Sequence, residues 1–163
     1  ISLANGSRVP SLRDVLEHFP ALKLNLDVKA QPGCAATAEV INKLGAFDRV
    51  LVSSFSKARK LATLKLLDRP VATSASSTEV LGLWLAHVFL GLGFRSIAKN
   101  FEAIQIPRSF GPIRLDSKSF IQRARKHGLE VHFWTVNDPN EGRSLLAKGA
   151  TGIVSDRVDL FSF

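Results

Sequence analysis

The segment Leu24-Asn25-Leu26-Asp27-Val28-Lys29 alternates apolar and polar residues. As a strand it sets Leu24, Leu26 and Val28 on one face and Asn25, Asp27 and Lys29 on the other. A parallel strand buried on both faces is normally apolar throughout, so the alternation carries information. The leucines are expected to pack against helices. On the opposite face a carboxylate and an ammonium stand two residues apart, and neither is stable buried without a partner. They can neutralise each other on a half-exposed strand, or they can face a ligand.

Trp134 ends another strand. Its indole N–H needs a partner, which suits a pocket wall, whereas core packing is the plainer reading. Phe55, after the Ser53-Ser54 pair, and Gln105, two residues before Pro107, are further candidates to line a site. Of the four histidines, His132 shares a strand face with Trp134. His18 and His127 fall near helix ends, where a cation is favoured by the dipole. His87 lies in an apolar helix. The single Cys34 excludes an internal disulfide and any cysteine-based zinc site.

The elements that position these residues repeat. Val131–Thr135 is a β-branched and aromatic run. Asp138, Pro139 and Glu141 then open a helix with buried Leu145, Leu146 and Ala147, and Gly149 closes it. Gly152–Ser155 is a second strand, completing a βαβ unit. Earlier copies are expected. Pro10–Phe19 is a helix capped by Ser11 and stopped by Pro20. Leu24–Lys29 is the first strand, followed by a helix over Ala36–Leu44 closed by Gly45. Arg49–Ser53 is the second strand, and Ser56 caps a helix reaching Leu67, with Lys57, Arg59, Lys60 and Lys65 on its solvent face. Pro70–Thr73 is a weak third strand. Ser77 or Thr78 opens an apolar helix towards Leu90, Phe101–Ile106 is the fourth strand, and Asp116 caps a helix to His127. Residues 1–9 read as loop.

Strands alternating with helices mean a parallel sheet. No glycine-rich phosphate loop follows any strand, which disfavours a nucleotide-binding doubly wound sheet. The pattern is six βα units of an α/β (β/α)8 TIM barrel in one domain over residues 1–163. A whole barrel typically needs about 250 residues, more than the 163 present, so the barrel is expected to be incomplete.

Trp134-Thr135-Val136-Asn137-Asp138, followed by Gly152-Ile153-Val154-Ser155-Asp156, resembles the C-terminal signature of the glycerophosphodiester phosphodiesterases. Pro10 to Lys29 and Val52 to Phe55 resemble that family's middle signatures. The family's opening His-Arg-Gly, Glu-x-Asp and His-Asp motifs do not occur. The resemblance implies strands three to eight of the phosphodiesterase barrel and metal-dependent hydrolysis of glycerophosphodiesters to an alcohol and glycerol 3-phosphate. It implies Asp27 as a ligand of a divalent metal, Ca²⁺ or Mg²⁺. It implies Lys29 as the phosphate-holding catalytic lysine and Trp134 beside the alcohol portion. Asp27 stands where the family most often has the longer glutamate. The general acid and base would be the two histidines of the absent motifs, so these residues alone are expected to be inactive. A catalytically silent phosphate- or lipid-binding barrel and a lysophospholipase D are the alternatives. In the latter, Leu81–Phe94 would be a lipid-facing lid exposing Trp84, Phe89 and Phe94; the plainer reading is an outer barrel helix.

Lys plus Arg number 22 against 14 Asp plus Glu, a formal charge of +8. That surplus is either a solvated surface or an attraction for phosphates and anionic lipid. With no run of five like charges, nucleic acid is not an expected partner. The stretch 81–94 is short for a membrane span. The expected location is cytoplasmic or membrane-peripheral, with a signal peptide not assessable. The first and last strands are expected to show open edges, covered by a preceding segment or by a second copy.

Overall fold

The computed structural model describes Gly6 and residues 8–161. The loop expected over residues 1–9 therefore lies outside the described residues, except for Gly6, Arg8 and Val9. Two compact units are formed, Ile1–Ala72 and Thr73–Phe163.

In the first unit, α1 (Leu12–His18) begins at Ser11, whose hydroxyl and the Asp14 carboxylate each accept the other residue's backbone N–H. Then come β1 (Leu24–Asp27), α2 (Pro32–Leu44), a 3-10 turn over Ala46–Arg49, β2 (Val50–Ser53) and α3 (Lys57–Leu64). Helix α2 starts earlier than expected because Pro32 fits a first turn, where its missing N–H is not needed. Gly45 closes it in the left-handed conformation. β1 and β2 run parallel, with Leu24 opposite Val50 and Asp27 opposite Ser53. Leu24 and Leu26 pack on a core that includes Leu16, Ile41 and Val52. Asn25 and Asp27 are exposed, so the alternation of β1 sorts its faces as expected. Asn42 on α2 ties down the turn after α3: its amide nitrogen donates to the Leu66 carbonyl at 2.8 Å, and its oxygen accepts the Asp68 N–H at 3.1 Å. Lys60 is a correction to the expected solvent face of α3. It is only 2% exposed, on the side of the helix that packs inward.

β3 (Ala72–Thr73) stands at the boundary between the units. The second unit continues with α4 (Ser77–Val88), α5 (Phe94–Ala98), β4 (Ala103–Ile106), β5 (Ser109–Phe110), β6 (Ile113–Arg114), α6 (Lys118–Lys126), β7 (Glu130–Phe133), α7 (Pro139–Ala147) and β8 (Gly152–Ile153). β4, β7 and β8 form a parallel sheet in that order, extended by a parallel bridge from Ser74 to Ala103. Ile104, Ile106, Val131 and Phe133 meet Phe94 and Phe120 in its core.

Several expectations are corrected. Helix α4 is capped by Ser76, not by Ser77 or Thr78, with Glu79 accepting back from the cap. Helix α6 is capped by Ser117, whose hydroxyl accepts the Phe120 N–H. Asp116 is instead a buried anion held by Arg108, Arg114 and Lys148. Of the three aromatics of the expected lid, only Phe89 is exposed: Phe94 is wholly buried, and Trp84 packs on the core as an outer helix residue should. The β5–β6 hairpin and α5 were not expected, because elements of two to five residues leave no periodicity to read.

Candidate functional site

The first unit brings Asp27 and Lys29 together. Asp27 is the last residue of β1, and its Oδ2 lies 3.9 Å from Lys29 Nζ. The pair is loose, and Lys29 is 80% exposed, so it adds little to stability. Among the described residues the Asp27 carboxylate makes no hydrogen bond, which leaves its oxygens open to a cation or a water.

The backbone between the two is firmly held. The Val28 N–H donates to the Ser53 carbonyl at 2.9 Å, continuing the β1–β2 ladder. The Val28 carbonyl accepts the Ser54 hydroxyl at 2.7 Å and Arg59 Nε at 3.3 Å. Ser54 is buried, and its oxygen also accepts from the Ser56 N–H and Arg59 Nε. Ser54 and Arg59 thus fix the peptide that carries Lys29. Arg59 thereby departs from the solvent face expected for it; for Ser54, the small polar Ser53-Ser54 pair at a strand end was the available signal. Phe55 follows this pair and is exposed.

The second unit brings Gln105 and His132 together on one face of the β4–β7 pair. They are register partners, and Gln105 Nε2 lies 3.3 Å from His132 Nδ1. An amide nitrogen can only donate, so His132 Nδ1 accepts and its Nε2 carries the proton. Burial pushes the His132 pKa below its ordinary value, against the opposing pull of Glu130. Neighbouring Ile104, Ile106, Val131 and Phe133 point to the opposite, helix-covered face. Trp134 continues the His132 face, is half-buried and stays outside that core. Its N–H joins the ladder at the Ile106 carbonyl.

After Trp134, Asn137 ties the loop down. Its side-chain oxygen accepts the Ser155 hydroxyl and the Asp156 N–H, both at 2.9 Å. Asp138 caps α7 by accepting the Asn140 N–H, while Glu141 pairs with Arg108 at 3.1 Å rather than closing a capping box. The remaining histidines do structural work. His127 stacks on Phe94, His87 meets Phe120 edge-on, and His18 bonds the Asp14 carbonyl.

The donor chemistry at Asp27 fits a hard divalent cation, but the donor count falls short. Among the described residues no group of three or more His, Cys, Asp or Glu side chains could hold a metal ion. Asp27 by itself does not make up such a set.

A glycerophosphoryl diester phosphodiesterase family profile matches residues 2–160. The chain is 33% identical over 162 residues to a Mycobacterium tuberculosis protein named probable glycerophosphodiester phosphodiesterase 2, covering 97% of this chain and 60% of that protein. It is 23% identical to human lysophospholipase D GDPD3, covering 94% of this chain and 55% of that one. The chain thus spans less than two thirds of these relatives. An Agrobacterium tumefaciens glycerophosphodiester phosphodiesterase structure superposes with a TM-score of 0.69 at 21% identity, over 96% of this chain and 63% of that one. An Oleispira antarctica phosphodiesterase in complex with the product sn-glycerol-3-phosphate superposes with a TM-score of 0.63 at 20% identity, over 90% and 57%. These likenesses show the fold class, the α/β TIM barrel of the phosphodiesterases, and an incomplete barrel is compatible with the partial parallel sheets seen. With the profile spanning nearly every residue, the chain belongs to the glycerophosphoryl diester phosphodiesterase family.

Proposed function

We propose that this chain carries part of the machinery for metal-dependent hydrolysis of glycerophosphodiesters to an alcohol and glycerol 3-phosphate. The observation that supports it most is the Asp27–Lys29 pair at the end of β1, on a backbone pinned by Ser54 and Arg59. Lys29 meets the phosphate as a point charge on a flexible stem. Asp27 would hold the divalent metal, Ca²⁺ or Mg²⁺, through a carboxylate oxygen. That ion, when bound, polarises the phosphoryl oxygens and offsets charge developing on them. By the family resemblance Trp134 is the residue for the alcohol portion, and Phe55 and Gln105 are further candidate substrate-binding residues. In the reaction water adds to phosphorus and the P–O bond to the alcohol breaks, which needs a proton given and a proton taken.

No histidine here occupies the family's catalytic positions. In the family the proton steps fall to the histidines of the His-Arg-Gly and His-Asp motifs, and neither motif occurs in this sequence. The 163-residue chain alone is therefore expected to show no turnover of glycerophosphocholine. A version extended to include His-Arg-Gly and Glu-x-Asp should turn it over, lose activity to a chelator, and lose roughly a hundredfold on Asp27→Asn. Turnover by the short chain, or an extended enzyme indifferent to Asp27→Asn, would overturn the assignment.

A further inference from the structure

The end of α4 and the turn after it carry a ridge of exposed apolar side chains. Leu81, Leu85 and Val88 lie along one stripe of α4, and Phe89, Leu90 and Leu92 continue it. Leu90 is 89% exposed and has a φ of 58°. A branched residue rarely adopts that backbone, and this one gains no packing from it. Gly91 and Gly93 beside it take positive φ without penalty. The turn thus holds a leucine out to solvent in a conformation that favours glycine.

Against this ridge lies an open cleft of about 420 Å³ lined by Gly91, Gly93, Arg95, Ser96, Lys99 and His127, and Lys126 lines the space beside it. Arg95, Lys99 and Lys126 pair with no carboxylate among the described residues. No Asp or Glu occurs between Val80 and Phe101 or between Ser117 and Leu129. The face is therefore apolar and cationic at once, with no acid to quench it.

We infer that this face docks on an anionic lipid bilayer. Leu90 and Leu92 reach the hydrocarbon boundary, and Arg95, Lys99 and Lys126 lie against headgroup phosphates. Adjacent apolar and cationic groups match the two layers of a membrane surface. A free phosphate would account for the cleft but not for the ridge. A second copy on the same face would bring like-charged clefts together. The inference does not depend on catalysis.

The test is sedimentation of the 163-residue chain with vesicles of phosphatidylcholine alone or mixed with phosphatidylglycerol. Binding is expected to the mixed vesicles and not to the neutral ones, and raised salt should weaken it. Leu90→Gly removes the side chain while suiting the backbone. It should leave Tm unchanged or higher and lower the vesicle-bound to free ratio about tenfold. Leu92→Ser should act likewise, and Arg95→Ser with Lys99→Ser should cut the ratio at least about tenfold. No binding to mixed vesicles, or binding indifferent to all these variants, overturns the inference. So does a chain that self-associates through this face, becoming monomeric with Leu90→Gly while its vesicle binding is unchanged.

Discussion

Gly152 stands opposite His132 in the β7–β8 register, and a Cβ built on it would lie 2.6 Å from the imidazole Cδ2. The glycine is there because the neighbouring ring fills the space its side chain would take. Gly152→Ala must push His132 away from Gln105 or part the strands. It should lower stability by about 1–3 kcal/mol, as overpacking does, read as a fall in the urea midpoint. Gly152→Ala combined with His132→Ala should recover most of that loss.

The two faces of β1 make opposite predictions. Leu26 packs on the core of the first unit, and Asp27 is exposed. Leu26→Asn should cost about 2 kcal/mol, whereas Asp27→Asn should stay within about 0.5 kcal/mol. Chemical denaturation of both variants checks this, and a harmless Leu26→Asn beside an unfolding Asp27→Asn would invert the face assignment.

Asp116 is only 1% exposed, with Arg108, Arg114 and Lys148 around it. Burial pushes its carboxyl up, but the Arg114 hydrogen bond and the charge of Lys148 prevail and hold it below the ordinary carboxylate range. Asp116→Asn should destabilise by about 1–3 kcal/mol, because charge-assisted bonds are lost and three cations remain close together. The contribution is present above the ordinary aspartate value of about 4 and disappears as pH falls through the lower folded value. Thermal melts of the two proteins should converge in acid.

His132 and His87 are both shifted down by burial, helped at His87 by the charge of Arg123 and opposed at His132 by Glu130. Among the described residues, His87 Nδ1 is buried with no hydrogen-bond partner. The folded protein therefore prefers both neutral. The unfolded chain takes up protons first, so stability is full above about pH 6.5 and falls as pH drops through the lower folded values. Urea midpoints should decline between neutral and mildly acidic pH, and His132→Gln should reduce that slope.

Long periodic segments and caps were legible in the sequence. Ser11, Ser56, Gly45 and Asp138 each sit at the helix end their chemistry favours, and the alternation of β1 sorted Leu24 and Leu26 from Asn25 and Asp27. Asp116 was misread because a capping residue and a buried anion look identical until the distant Lys148 is brought near. The support that Ser54 and Arg59 give to Val28 was illegible for a related reason: it joins residues about thirty apart through a carbonyl that every residue has. Glu141 was read as part of a cap because local spacing could not disclose Arg108.

Asn42 reaches from α2 to both Leu66 and Asp68. The turn after α3 has no sheet partner at these atoms, so one amide group stands in for a length of ladder. Local opening of that turn requires Asn42 to let go, and Asn42 is fixed in a helix that opens far less readily. The Asp68 amide should thus exchange its hydrogen on the slow clock of α2 rather than the fast clock of a surface loop. Asn42→Ala would hand it back to the loop's own, faster breathing.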